Sequence, residues 1–341
     1  MSAQGTLAPP VPPIRGRQRS VITRLLRKLA ESPEAGVIIA CVVVFIVIAV
    51  NAPTYASVGN LQVMGRDLAQ VGILAVGESL VILTGGIDLS VGALAGLAGI
   101  FAAYFNVNKG LPGPVAMLIT IVICAAVGFW HGTMVTKLKV PPFVITLVTF
   151  TVAQGLGLAI TSGLPINGID PIFSDLSSFY IHEVPVPALF FVGAVAIAWF
   201  VMERTYVGRQ IYAVGGNKEA ARLAGIPVAR RITSAYVASS ILAGVVGILV
   251  IGRLNVADPS VGPGWELIAI AAAVVGGASL FGGEGRVIGV AAGAILLEII
   301  ANGLLALHVS PYYQQVVQGS VLGVAILLDR VRASYFGRGR R

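Results

Sequence analysis

Long apolar stretches recur along almost the whole chain, and they restrict the folds open to it more than any other feature. The hydrocarbon core of a bilayer, about 30 Å thick, is crossed by roughly 20 apolar residues in a helix. Ten segments meet this requirement, at about 35–51, 67–84, 89–106, 113–135, 142–161, 186–202, 232–252, 266–282, 287–306 and 312–328. The sequence therefore predicts an all-α fold, a polytopic transmembrane helix bundle with about ten spans.

The composition excludes the soluble alternatives. Only 11% of the residues are charged, whereas soluble domains carry roughly 25%. The net charge of +8 could suggest a nucleic-acid partner, but the basic residues are dispersed among apolar spans, so no nucleic-acid binding is expected. The two cysteines, Cys41 and Cys124, lie inside apolar stretches and predict neither a disulfide nor a metal site. Since so few residues are charged, the surface of the folded chain is expected to contact the lipid bilayer.

The basic residues predict the orientation of the spans. With the N-terminus inside, 20 of the 23 Lys and Arg residues fall on the cytoplasmic side. The segments on that side are 1–34, 85–88, 136–141, 203–231, 283–286 and 329–341. Because cytoplasmic loops carry an excess of Lys and Arg, both termini are predicted to be cytoplasmic. The chain then divides into a polar tail (1–34), a transmembrane domain (35–330) and a basic tail (331–341).

Two segments resemble each other within the chain. VILTGGIDLSVGALAG (81–96) aligns with ASLFGGEGRVIGVAAG (278–293), and both contain paired glycines and a G-x-x-x-G spacing. Gly92 and Gly96 in the first copy, and Gly289 and Gly293 in the second, predict close backbone approaches. Duplication and convergence on close-packed turns both remain open. The long acidic outer loop at 162–185 predicts short surface structure.

The turn LTGGIDLSVG places a carboxylate among apolar residues. Gly85 and Gly86 suit the left-handed geometry that ends a helix. Asp88 can then cap the next helix, by accepting the amide hydrogen of Ser90 or Val91. A polar gate at a broken helix is the alternative for Asp88, and both interpretations stay open.

Four polar residues lie deeper within the predicted spans, namely Glu78, Gln154, Glu298 and Asn302. A carboxylate at the bilayer centre costs roughly 2.5–3.5 kcal/mol on insertion scales. Glu78 and Glu298 should therefore face the bundle or an aqueous path. The four residues are candidates for a translocation path, and the alternative is a set of satisfied hydrogen bonds between helices.

The cytoplasmic loop 203–231 predicts a short helix. Gly215-Gly216 breaks the chain, and Asn217 can cap a helix that begins at Lys218. Glu219 lies in the first turn, where the helix dipole favours a negative charge. Gly225 can close the helix, and the following proline prevents its continuation.

One face of this predicted helix carries Ala220, Leu223 and Ala224 at i, i+3, i+4 spacing. A helix of this length is only marginally stable by itself. It is therefore expected to fit into a groove of another protein.

These residues carry a resemblance to a known family. EAARLAG (219–225) resembles the E-A-A-x-x-x-G loop of ABC importer permeases, which docks onto the ATP-hydrolysing subunit. LTGGIDLSVG, YAVGGNKEAARLAGI and AAVVGGASLFGGEGRVIG together resemble the permease subunits of ribose/xylose/galactose-type sugar importers. The resemblance covers roughly 55–330, which is nearly the whole membrane region.

The resemblance implies a bacterial inner-membrane permease that imports a sugar (a pentose, a hexose or a related polyol) by alternating access. It implies three protein partners: a second permease subunit, in a homodimer, an ATP-binding cassette ATPase and an extracytoplasmic sugar-binding protein. The implied ATPase-coupling helix contains Asn217, Glu219, Ala220, Ala221, Leu223 and Gly225, and the implied glycine-acid turn contains Gly85, Gly86, Asp88 and Ser90. No phosphate-binding G-x-x-x-x-G-K-[ST] motif occurs, which agrees with ATP hydrolysis by a separate chain.

Two other classes remain as alternatives. An ion-coupled secondary transporter would use Glu78 and Glu298 in an ion site and would need no docking helix. An intramembrane enzyme would need a nucleophile–base pair or metal-ligand spacing, and neither is visible. The sequence therefore predicts no catalytic residue, no cofactor and no metal, and it does not identify the sugar.

Overall fold

A computed structural model describes residues 33–310 together with 313, 316, 317, 319, 320, 323 and 327. The basic tail 331–341, all but two residues of the polar tail 1–34 and most of the predicted span 312–328 lie outside the described residues.

The described chain is helical with one small hairpin. The first six helices are α1 (Pro33–Asn51), α2 (Val58–Leu83), α3 (Val91–Ala103, continued by a π-helical turn, Tyr104–Asn108), α4 (Gly113–Lys137), α5 (Pro142–Thr161) and α6 (Pro171–Ser178). The other six are α7 (Val186–Arg204), α8 (Tyr206–Gly216), α9 (Lys218–Leu223), α10 (Val228–Leu254), α11 (Trp265–Val275) and α12 (Val287–Ala306). Strands β1 (Tyr180–Ile181) and β2 (Val184–Pro185) pair antiparallel.

The all-α polytopic prediction is confirmed. Seven described helices are long and apolar enough to cross a membrane: α1, α3 with its π-helical turn, α4, α5, α7, α10 and α12. Helix α2, with 26 residues, is not among them, because Arg66, Asp67 and Glu78 interrupt its apolar sequence. The predicted number of ten spans and the cytoplasmic termini stay predictions.

Two predicted spans differ from their helices by seven residues or more at one end. The helix predicted at 67–84 begins at Val58, nine residues earlier. The helix predicted over 266–282 ends at Val275, so α11 has only 11 residues and is about 16 Å long. It stops because Gly276 and Gly277 follow, and Gly277 has a φ of +92°. Such a helix is half as long as a bilayer core is thick.

Two helices form the centre of the bundle. Helix α10 packs against α2, α3, α4 and α6, and α2 also packs against α7, α11 and α12. Helices α1, α4, α5 and α7 lie outside and expose many large apolar side chains. These faces are apolar along their length, which suits contact with lipid.

The predicted close approaches at the G-x-x-x-G spacings are confirmed. A side chain at Gly289 or Gly293 would collide with the carbonyl of Gly276 or Ala272, respectively. A side chain at Gly92 would collide with Glu266, in the first turn of α11, and with the carbonyl of Gly262, and one at Gly96 would collide with the carbonyl of Val261. The loop at 162–185 contains α6 and the hairpin, as the prediction of short surface structure requires.

Candidate functional site

The short helix predicted in the cytoplasmic loop is present as α9. The Asn217 side chain accepts a hydrogen bond of 2.9 Å from the Ala220 amide, so the predicted cap is confirmed. Gly225 follows the helix with a φ of +78°, which is the left-handed conformation expected of a closing glycine. Glu219 pairs with Arg222 at 2.8 Å, and both side chains are exposed.

Helix α9 presents one apolar face to the outside. Ala221 is its buried residue and attaches it to the bundle. Ala220, Leu223 and Ala224 are exposed, and the exposed fraction of Leu223 is 84%. A leucine this exposed at the end of a capped six-residue helix forms a surface suited to an apolar groove of another protein.

Helix α8, which precedes α9, was not predicted. Thr205 caps it by accepting hydrogen bonds from the amides of Val207 and Gly208. Its buried face carries Ile211 and Val214. The local signal was a capping threonine followed by apolar residues at helical spacing.

Glycines of three pairs from distant parts of the sequence meet beside α9. Gly85-Gly86 follows α2, Gly215-Gly216 ends α8, and Gly282-Gly283 lies between α11 and α12. The amide of Gly283 donates a hydrogen bond of 3.1 Å to the carbonyl of Leu83. We call the contact formed by Gly85, Gly215, Gly216, Gly282 and Gly283 the glycine junction.

The backbones of the glycine junction are too close for side chains. A Cβ atom at Gly215 would collide with the carbonyl oxygen of Leu83 and with the amide of Gly283. A Cβ at Gly282 would lie 2.8 Å from the Cα of Gly85, whereas a Cβ at Gly216 would meet no atom within 4 Å. The end of α8 is thus in direct backbone contact with the α2–α3 turn and the α11–α12 turn.

Side chains reinforce this contact. The hydroxyl of Tyr212, on α8, donates a hydrogen bond of 2.9 Å to the carbonyl of Gly285. Burial, with a smaller contribution from the Glu203 carboxylate, raises the pKa of Tyr212 to about 12, so its hydroxyl keeps its proton. Arg286 follows in the same turn and lies 3.5 Å from Glu34 and 3.8 Å from Glu203.

The glycine-acid turn holds Asp88 inside the bundle. Asp88 Oδ1 accepts hydrogen bonds from the Ser90 amide at 3.0 Å and from the Ser90 hydroxyl at 2.5 Å. Asp88 Oδ2 lies 3.5 Å from the Ser239 hydroxyl of α10. The predicted bond to the Ser90 amide is therefore present, but Ser90 itself occupies the N-cap position of α3. Gly85 adopts the expected left-handed conformation, with a φ of +75°, whereas Gly86 does not.

A second carboxylate lies against this turn. Glu78 is fully buried, and its Oε1 accepts a hydrogen bond of 3.1 Å from the Asp88 amide. The Tyr236 side chain, on α10, is also fully buried and lies within electrostatic range of both carboxylates. His131, on α4, packs edge-on against the Tyr236 ring and bonds to Thr149 at 2.7 Å. We call Glu78, Asp88, Tyr236, Ser239 and His131 the buried polar cluster.

The other predicted path residues lie elsewhere. Glu298 is buried on α12, within electrostatic range of the ion pair between Asp67 and Arg253. Asn302 accepts a hydrogen bond of 2.8 Å from Asn60. Gln154 is half-buried on α5. Glu78 and Glu298 both face the bundle, as expected, and the assignment of these residues to a path stays a prediction.

Sequence reasoning missed Tyr236, Ser239 and His131 because nothing local distinguishes them from ordinary polar residues in spans. No group of three or more His, Cys, Asp or Glu residues within the described part of the chain is arranged to hold a metal ion. The cluster instead packs the α2–α3 turn against α10, through the bond between Ser239 and Asp88, and against α4, through the ring contact between Tyr236 and His131.

Comparison with known proteins identifies the class of the chain. Residues 66–326 match a protein family described as "Branched-chain amino acid transport system / permease component". The chain belongs to this family of permease components. The predicted resemblance to the permease subunits of ABC sugar importers is also confirmed, by the curated relatives of the permease.

The relatives are similar over nearly their whole length. The permease is 38% identical to the ribose import permease protein RbsC of Bacillus subtilis (strain 168), over 86% of this chain and 91% of the relative. It is 38% identical to RbsC of Escherichia coli (strain K12), over 86% and 92%. It is 35% identical to the galactose/methyl galactoside import permease protein MglC of the same strain, over 88% and 94%. No solved structure matches the chain.

Proposed function

We propose that the chain is the membrane-spanning permease subunit of an ATP-binding cassette importer for a sugar. The sugar is a pentose, a hexose or a related polyol, delivered by an extracytoplasmic binding protein. The curated relatives named for ribose, allose and galactose support this substrate class. Two copies of the permease form the pathway in the inner membrane, with both termini in the cytoplasm.

The observation that carries the proposal is the geometry of α9. The helix is capped at both ends by Asn217 and Gly225 and projects an exposed Leu223. It is joined at its base to two turns of the bundle through the glycine junction. A separate ATPase that binds this helix can therefore move the α2–α3 and α11–α12 turns together.

Transport by the purified protein in vesicles tests the proposal. The permease is reconstituted with its ATPase and binding protein, and uptake of labelled ribose and labelled galactose is measured. We expect uptake to require ATP together with the ATPase and to persist when an ionophore removes ion gradients. Uptake by the permease alone, driven by an ion gradient, would contradict the proposal and favour the secondary transporter.

Replacement of Leu223 tests the docking surface directly. We expect Leu223→Glu to weaken binding of the ATPase to the purified permease at least tenfold, because a charge would have to enter an apolar groove. Leu164→Glu is the matched control, since Leu164 is also exposed (69%) but belongs to the loop predicted outside. Equal binding by both variants would show that α9 is not the docking element.

The Glu78→Gln variant separates the proposal from ion coupling. The glutamine oxygen can accept the same hydrogen bond from the Asp88 amide, so the turn is retained. We expect ATP-driven uptake to stay within about twofold of the unmodified rate, because the substitution keeps both this hydrogen bond and the size of the side chain. An ion-coupled mechanism that uses this carboxylate predicts loss of uptake, measured in the same vesicles with protein content matched.

A further inference from the structure

The chain between α10 and α11 follows an unusual course. Ala257 exchanges two backbone hydrogen bonds with Ile166, of 2.9 and 3.0 Å, so this part lies beside the loop before α6. The carbonyls of Val261 and Gly262 then lie directly against Gly96 and Gly92 of α3. Residues 255–264 therefore leave the end of α10 and return into the bundle without forming a helix. We call residues 255–264 the re-entrant segment.

The contacts of α3 with α10 give the depth of this return. Gly247 of α10 packs against the backbone of α3 at Ala95 and Gly99, on either side of Gly96. Gly247 precedes the end of α10 by seven residues. At 1.5 Å per residue, Val261 therefore lies roughly 10 Å below the end of α10. Gly92 lies one further turn along α3, so the start of α11 lies about 16 Å below the end of α10. Helix α11 is about 16 Å long, which is roughly half the thickness of a bilayer core.

Irregular backbone at this depth cannot face lipid. Lipid offers no hydrogen bonds, so such backbone is tolerated only inside protein or beside a water-filled cavity. One side of the re-entrant segment packs against α3, but Ser260 and Pro263 are exposed on its other side. The exposed surface continues onto α11, where Leu267 is 50% exposed. The exposed side of this segment therefore faces water or a partner protein, and not lipid.

Charged groups at the outer end of the segment agree with an aqueous environment. Arg253 and Asp67 form an ion pair in which each side chain is about 30% exposed. Asp258 Oδ1 accepts hydrogen bonds from the hydroxyl and the amide of Ser260, at 2.7 and 2.8 Å. Ionised side chains within or beside a span face protein or water rather than lipid.

Below this outer end, the exposed surface formed by the re-entrant segment and the start of α11 is uncharged. Residues 259–268 contain a single ionisable side chain, Glu266. That carboxylate is turned toward α3, is only 6% exposed and accepts a hydrogen bond of 2.9 Å from the Gly264 amide. The remaining surface consists of backbone, Ser260, Trp265 and apolar side chains. An uncharged wall with few polar groups suits the passage of a neutral polyhydroxylated solute.

We propose that the re-entrant segment and the exposed face of α11 line the aqueous pathway through which this neutral solute crosses the bilayer. The inference rests on the proposed function for the nature of the solute, and on the depth and exposure of residues 255–267 for the location of the path.

Reactivity of introduced cysteines toward a charged, membrane-impermeant methanethiosulfonate reagent tests the proposal in the complete reconstituted transporter. The thiolate is the reactive form, and a thiol in contact with lipid does not ionise. We expect Leu267→Cys and Ser260→Cys to react at least tenfold faster than Ile197→Cys. Ile197 is the matched control, because it is 69% exposed near the middle of α7, on an outer helix. The unsubstituted protein is the blank, since Cys41 and Cys124 are buried.

A functional readout accompanies the labelling. Modification of Leu267→Cys is expected to reduce ATP-driven uptake at least tenfold, and reduction of the mixed disulfide should restore it. A reaction of Leu267→Cys as slow as that of Ile197→Cys would overturn the proposal, whether lipid or a second copy of the chain covers the face. If the pathway proposal fails in this way but the unlabelled variant still takes up sugar only with ATP and the ATPase, the proposed function stands.

Discussion

Replacement of Gly215 by alanine is expected to reduce ATP-driven uptake at least tenfold. The added methyl group would collide with the carbonyl of Leu83 and the amide of Gly283, and both are backbone atoms that cannot rotate away. The end of α8 would therefore separate from the α2–α3 and α11–α12 turns. Since α9 follows directly on α8, a movement of α9 would no longer reach the bundle. Initial uptake rates in reconstituted vesicles measure this loss.

The adjacent glycine provides the control. A Cβ at Gly216 would meet no atom within 4 Å, so Gly216→Ala adds the same methyl group without a collision. Alanine also favours a helix over glycine by about 1 kcal/mol in helix interiors, so this variant should be at least as stable as the original protein. We expect it to import sugar at the unmodified rate.

The ratio of ATP hydrolysed to sugar imported separates a loss of coupling from a loss of fold. For Gly215→Ala we expect the ATPase to remain bound and active while import falls, so that this ratio rises. A purely structural defect would lower both activities together and would also lower the melting temperature of the purified permease. Equal import by Gly215→Ala and Gly216→Ala would show that the glycine junction does not transmit movement.

The local features of α9 could be predicted because each depends on neighbouring residues. Asn217 caps the helix three residues ahead of the amide that it binds, and Gly225 closes it with a left-handed conformation. Such signals need no knowledge of the tertiary structure. The glycine junction is different, because Gly85, Gly215 and Gly283 are separated by many residues and only the fold brings them together. The pairs were visible in the sequence, but their partners were not.

The bounds of two spans could not be predicted from hydropathy for opposite reasons. The predicted span began at Asp67 and left out the first turns of α2, where Asn60, Gln62 and Arg66 are polar, yet Arg66 bonds to Tyr180 and Asp67 pairs with Arg253. These partners offset the cost of placing charge near the membrane. In the segment 266–282 the glycines did not interrupt the apolar stretch, although Gly276-Gly277 ends the helix. Hydropathy records polarity, whereas a helix ends because of backbone conformation and hydrogen bonding.

Replacement of Asp88 by alanine is expected to destabilise the permease. The side chain is fully buried, and its loss would leave the Ser90 amide and hydroxyl without their acceptor. An unsatisfied buried donor costs about 1–3 kcal/mol. The loss of stability should exceed the roughly 1 kcal/mol typical of an exposed helix cap, because water cannot replace the missing acceptor. The melting temperature of the purified permease in detergent measures this effect, and we expect a fall of several degrees.

The Asp88→Asn variant decides between the cap and the gate. Its amide oxygen can accept the same bonds from Ser90, and its amide group can face the Ser239 hydroxyl, so the turn keeps its hydrogen bonds. The substitution also removes one of the two negative charges that Asp88 and Glu78 can place in the buried polar cluster. If Asp88 acts only by holding the turn, this variant should melt near the temperature of the original protein and import sugar at a similar rate. If the variant melts normally but imports no sugar, then transport requires the charge of the carboxylate itself, and Asp88 acts as a gate.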